Sequence, residues 1–264
     1  MSEWWLAYLA IGCVVGFLAG LLGIGGGMVM VPMLAWVFAA QGLPAVHLLH
    51  VALGTSMATI FFTSLSSMRA HHRRGAVDWK IARAISPGIL AGSFATALAA
   101  GFLPTRALAV LFTGLVFYAS ISMFFDVQPK TTRELPGAAG LFAAGSAIGV
   151  AASLLAAGGA FLTIPFLAWC SVPLRRAIGT AAAVGFPIAI AGSAGYVLQG
   201  LQAIGLPAGT FGFIHLPALA LIGAMSMLFA VAGRIKPVEE NLLPVDLSFL
   251  RCLRLRRGRV GNVG

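Results

Sequence analysis

Gly20-Leu-Leu-Gly23-Ile-Gly25-Gly26-Gly27-Met-Val-Met-Val-Pro32-Met-Leu34 is the stretch whose reading decides the fold. Five of its first eight residues are glycine, a proline follows five positions later, and apolar residues flank it on both sides. Each glycine costs a helix about 1 kcal/mol relative to alanine, so the stretch predicts a break at Gly23–Gly27 between two helical pieces. Unwound backbone persists in lipid only where protein or a cavity covers it, because each unsatisfied amide there costs several kcal/mol. A helix broken at membrane depth is therefore a candidate binding site: its second piece begins with free N–H groups and the positive end of a helix dipole.

The surrounding chain supplies the membrane context. Its 264 residues would allow one or two soluble domains, but 59% are hydrophobic, 9% are charged and the mean hydropathy is +0.97. That composition describes an all-α polytopic membrane protein. Met1-Ser2-Glu3-Trp4-Trp5 lacks the basic segment of a secretory signal, so the first apolar run reads as a retained span, with Trp4, Trp5 and Tyr8 as interfacial anchors. The net charge of +10 sits at helix ends and in the tail, which marks orientation and not a nucleic-acid partner. Cys13, Cys170 and Cys252 form no CxxC pair, so neither a disulfide nor a metal site is expected.

A span needs about 20 residues. Apolar runs cover 4–22, 28–40 (short, starting at the break), 47–68, 81–101 and 105–125. A polar connection from Asp126 to Pro136 follows, and the order then repeats: 138–156, a break at Gly158-Gly159, a short piece at 160–171, then 177–198 and 213–233. Residues repeat as well. Gly20 to Gly27 lines up with Ser153 to Ala160, Pro32 with Pro165, Gly54-Thr55-Ser56 with Gly179-Thr180-Ala181, and Pro87 with Pro217. Two halves on one plan, repeat 1 over about 4–125 and repeat 2 over about 138–233, are the mark of a transporter with internal repeats.

Loop charges orient the halves. Arg69, Arg73, Arg74, Lys80 and Arg83 place the 69–83 connection in the cytoplasm. Lys130 and Arg133 lie two spans later, on the same side; Arg175, Arg176, Arg234 and Lys236 also fall there if the second break folds 138–171 into two passes, and the uncharged stretch 199–212 then lies outside. Each repeat is thus an odd number of passes, and the repeats are inverted. The short pieces enter as half-helices. Domain 1–233 is the integral transporter unit; 234–264, with Arg251, Arg254, Arg256, Arg257 and Arg259, is a basic cytoplasmic tail. The final helix of the second repeat is not found in that stretch, which reads either as a basic cytoplasmic tail that touches anionic lipid or as the product of a reading-frame change near residue 231.

All seven acidic residues lie in loops or termini. Cation pumps and proton relays usually need intramembrane carboxylates, whereas amides and hydroxyls at helix N-termini suit an anion. The expected substrate-binding set is Gly25, Gly26, Gly27, Thr55, Ser56, Gly158, Gly159 and Thr180, with the two breaks meeting near the midplane. Gly12, Gly16, Gly92 and Gly145 read as close-packing positions. Thr59 and Thr63 read as bonded to their own helix. His50 and His215 read as satisfied interfacial residues, with a coupled proton as the functional alternative. Gly23 to Met28 fails GxGxxG, there is no GK[ST], no HExxH and no Ser-His-Asp set in the spans, so an enzyme is not expected, nor any cofactor.

The glycine-proline motif, Gly54-Thr55-Ser56, Pro173-Leu-Arg-Arg-Ala-Ile-Gly-Thr-Ala-Ala182, Gly185-Phe-Pro187 and Gly192 resemble the TauE/SafE sulfite exporter family over residues 5–233. The family's motif glycines correspond to Gly25, Gly26, Gly27, Gly158 and Gly159. The resemblance implies a multi-pass transporter of the bacterial inner membrane for sulfite, sulfonates or related organosulfur anions. The chain departs from the pattern in its glycine-poor second motif, in Ala181 where a serine would complete Gly-Thr-Ser, and in the lost final helix. The expected function is secondary transport of small sulfur-containing anions, with export as its direction. A non-transporting or degraded member acting as a membrane scaffold, and an anion channel, are the alternatives. Partners are the anion and the lipid bilayer; oligomeric state, a homo-oligomer included, stays open.

Overall fold

The computed structural model describes residues 4–22, 26–124, 135–203, 205–207 and 209–232. Gly25, most of the polar connection and the tail with its missing helix therefore lie outside the described residues. The chain forms nine helices among the described residues: α1 (Trp5–Leu22), α2 (Gly27–Ala40), α3 (Leu48–Arg73), α4 (Trp79–Ala100), α5 (Thr105–Phe124), α6 (Ala138–Leu154), α7 (Ala160–Trp169), α8 (Leu174–Gly200) and α9 (Leu216–Ala232). Three of them, α3, α4 and α8, are long and apolar enough to cross a membrane.

A short antiparallel pair, β1 (Thr210–Phe211) with β2 (Ile214–His215), spans the start of the apolar run at 213–233, so the helix of that run begins only at Leu216. Strands of two residues leave no alternating pattern to read.

Helices α3 and α8 form the centre. Every residue from Leu49 to Ile60 is buried, as expected of a helix apolar all round. Gly192 faces Met57, Gly185 faces Ser64, and the Phe61 and Phe186 rings lie 5.2 Å apart, so the two helices run antiparallel. Around them, α1 packs along α9 and α4 along α6. Both pairs run parallel and meet through glycines: Gly12 and Gly16 lie against Met225 and Ser226, Gly92 against Ser146, and Gly145 against Ile85. Side chains there would hold the backbones apart, and van der Waals contact is what joins helices in lipid. Ser93 adds a hydrogen bond across α4 and α6, donating to the Gly149 carbonyl at 3.1 Å. The α9 helix runs in the direction of α3, with Gly54 at Phe213 and Gly223 near Phe62.

Candidate functional site

The two breaks have the same local geometry. Gly26 caps α2 at φ 69°, ψ −4°, and Gly159 caps α7 at φ 72°, ψ −7°. Left-handed backbone at these positions is cheap only for glycine. In each case the chain turns sharply, and a short helix starts with its first N–H groups lacking intrahelical partners. Six residues further on, each short helix contains a proline, Pro32 in α2 and Pro165 in α7.

The breaks touch. A methyl group on Gly27 would overlap the Ala156 carbonyl oxygen, and it would meet Ile60 Cδ1 at 3.0 Å. A methyl on Gly185 would meet the Gly158 oxygen at 3.0 Å. The first break thus rests on the second and on α3, while the second rests on α8. Ala156 itself stands at φ 44°, a left-handed conformation in a residue with a Cβ.

Three fully buried hydroxyls flank this point without hydrogen-bond partners. Ser56 lies one turn before Ile60 on the same face of α3, Ser153 is in the last turn of α6, and Thr163 is in the first turn of α7. Ser56 belongs to the expected set; Ser153 and Thr163 do not. Their signal in the sequence was a hydroxyl within one turn of a break.

Thr55 and Thr180 lie elsewhere. The Thr55 hydroxyl accepts a hydrogen bond from the His215 N–H at 3.0 Å, and the Thr180 hydroxyl accepts one from the Asp78 N–H at 3.0 Å. The glycine before each threonine lets a loop carbonyl approach: Phe213 at Gly54, Ala76 at Gly179. Each loop residue so held then caps a helix. Asp78 accepts from the Lys80 and Ile81 N–H groups at the start of α4, and His215 Nδ1 accepts from Ala218 N–H at the start of α9. Asp78 therefore stands opposite His215, and the alignment of Pro87 with Pro217 is displaced: Pro87 lies well inside α4, Pro217 in the first turn of α9. Because α3 and α8 are antiparallel, Thr55 and Thr180 are roughly 20 Å apart along the bundle at 1.5 Å per residue. The structure sets Gly27 against Ala156 and Ile60 and Gly158 against Gly185, with Ser56 one turn from Ile60 on α3, and it sets the two threonines toward opposite ends.

His215 is buried among aromatic rings, 5.9 Å from Tyr8 and 5.3 Å from Phe38. His50 Nε2 lies 3.0 Å from the Ala100 oxygen and 3.2 Å from the Leu103 oxygen. Thr59 and Thr63 donate to carbonyls of their own helix, Thr55 and Ile60. Among the described residues no group of three or more His, Cys, Asp or Glu side chains gathers as a metal would need.

Apolar helices packed through glycine faces, with two broken segments meeting among buried hydroxyls, define a multi-pass membrane protein of the transporter class. The comparisons agree. The chain belongs to the sulfite exporter TauE/SafE family, whose profile matches residues 8–235. It is similar to a probable membrane transporter protein of Haemophilus influenzae, with 34% identity over 86% of this chain and 87% of the relative. A probable membrane transporter protein of Bacillus subtilis is 30% identical over 70% of this chain and 76% of its own length. One from Methanocaldococcus jannaschii is 25% identical over 92% and 89%. No solved structure matches the chain.

Proposed function

We propose that the protein is a secondary carrier that exports small sulfur-containing anions, sulfite or sulfonates among them, across the bacterial inner membrane. The observation that carries this reading is the contact between the breaks: Gly27 lies against Ala156, with both short helices opening there and three unpartnered hydroxyls beside them. Helix N-termini and hydroxyls stabilise a bound anion through N–H and O–H donors, and no carboxylate lies in an apolar run to oppose it. Among the described residues the site comprises Gly26, Gly27, Gly158, Gly159 and Ser56. Thr55 and Thr180 act from a distance, tying the central helices to the loops that precede α9 and α4.

Helix directions support two inverted halves. Corresponding helices run opposite ways, α3 against α8 and α9 against α4, and the contact of α1 with α9 is repeated by α6 with α4. Rocking of one half on the other would expose the breaks alternately to each side.

Counterflow of labelled sulfite in proteoliposomes tests the reading, with sulfonates, sulfate and acetate as competitors. Uptake competed by sulfite and sulfonates is expected, and replacing Gly26 by leucine should abolish it while insertion persists. Conductance beyond a carrier cycle would identify a channel, and absence of any flux would refute transport.

A further inference from the structure

The end of the bundle away from the basic α3–α4 turn holds a cavity of about 290 Å³, close to the lower limit of about 300 Å³ for ligand pockets. Its lining includes His47, His50, Leu103, Gln199, Gln202 and Phe213. His50 is only 3% exposed. Both partners of its Nε2 are carbonyls, which only accept, so Nε2 carries the proton. In the neutral ring Nδ1 then carries the lone pair, buried without a hydrogen bond and with the Val46 carbonyl close to the ring. The Phe213 ring covers the imidazole at 5.2 Å.

The lining holds no carboxylate, lysine or arginine. His47 and His50 are its titratable groups; α4 and α8 contribute none, His215 of the β-hairpin lies outside the lining against Tyr8 and Phe38, and Arg106 on the first turn of α5 is exposed and outside the lining. A lone anion entering this cavity would meet the amides of Gln202 and of Gln199, whose Nε2 already donates one N–H to the Leu98 carbonyl at 2.8 Å, but no balancing charge. Protonation of His50 at Nδ1 supplies both missing elements, a donor and a positive charge, while leaving the Nε2 hydrogen bonds intact.

We propose that this cavity is a second anion site, in which a small sulfur oxyanion binds together with one proton taken from solution onto His50 Nδ1. The identity of the anion rests on the carrier reading above. The site would make anion movement proton-linked, with no carboxylate taking part.

The probe is methanesulfonate, which stays anionic and cannot bring a proton of its own. Calorimetric titration of the purified chain in buffers of different ionisation enthalpy counts the protons taken up. About one proton per anion is expected, with affinity falling about tenfold for each pH unit over about pH 7 to 9. His50→Gln keeps an N–H for the Ala100 and Leu103 carbonyls but has nothing to titrate, so its binding should be independent of pH. Gln202→Trp, at an exposed position of the rim, should block proton-linked binding with thermal unfolding unchanged. Binding without proton uptake, uptake unaltered in His50→Gln, or no binding to folded wild-type protein would each overturn the inference. Sulfite exchange in proteoliposomes, run alongside, separates the two proposals. Exchange without proton linkage removes this site and keeps the carrier; proton-linked binding without exchange does the reverse.

Discussion

The Thr55 hydroxyl receives the backbone N–H of His215 at 3.0 Å, joining α3 to the start of α9 across 160 residues of chain. Thr180 does the same for Asp78, 102 residues away, at the start of α4. Each is a brace between a central helix and a loop that has just turned into a helix. Thr55→Val would keep the shape and remove the acceptor, leaving the His215 N–H buried and unpaired at a cost of about 1–3 kcal/mol. Thr55→Ser should recover most of that. Thermal unfolding in detergent measures both, and an unchanged Thr55→Val would show that the brace contributes nothing. Thr180→Val should destabilise less, because the Asp78 hydrogen bond is only partly buried.

His215 caps α9 through its ring, Nδ1 accepting the Ala218 N–H at 3.2 Å. His215→Asn keeps a capping acceptor and should retain most of the stability, whereas His215→Leu removes it and should cost about 0.5–2 kcal/mol in thermal unfolding. An unfolding temperature for His215→Leu equal to that of the wild type would show that the cap contributes nothing.

Gly27→Ala should be severe. The added methyl overlaps backbone, the Ala156 carbonyl, which cannot turn aside as a side-chain tip does. The expected cost is about 1–3 kcal/mol or more, with sulfite counterflow lost even where protein remains in the membrane. Normal flux from Gly27→Ala would place the substrate elsewhere.

Ala156→Gly should stabilise. At φ 44° the alanine occupies left-handed backbone that costs an L-residue about 1–2 kcal/mol and glycine little. A rise in unfolding temperature worth about 1 kcal/mol is expected, against the usual loss when glycine enters a helical protein.

Much of this architecture can be read from the chain. Glycine density with a proline five residues on located the first break, and recurrence of that spacing located the second, because few backbones other than a helix interruption use both signals. Gly12, Gly16, Gly92 and Gly145 pack helices as their small-residue spacing suggests. The braces were not readable. The hydroxyls of Thr55 and Thr180 read as donors for a ligand; each also accepts an N–H from far along the chain, and nothing local encodes that partner. Pro87 and Pro217 misled because proline suits both a kinked helix interior and a first turn. Ser153 and Thr163 were overlooked because a hydroxyl in a helix normally bonds its own backbone, and only the fold reveals these two as unpartnered.

The parallel pairing of α1 with α9 bears on how the protein is made. The glycine face of α1, at Gly12 and Gly16, has its complement at Ile222, Met225 and Ser226. At about 5–20 residues per second, a ribosome reaches that complement roughly 10–40 s after α1 has entered the bilayer. During that interval the glycine face of α1 has no α9 to close against, so this contact is among the last that the growing chain can make.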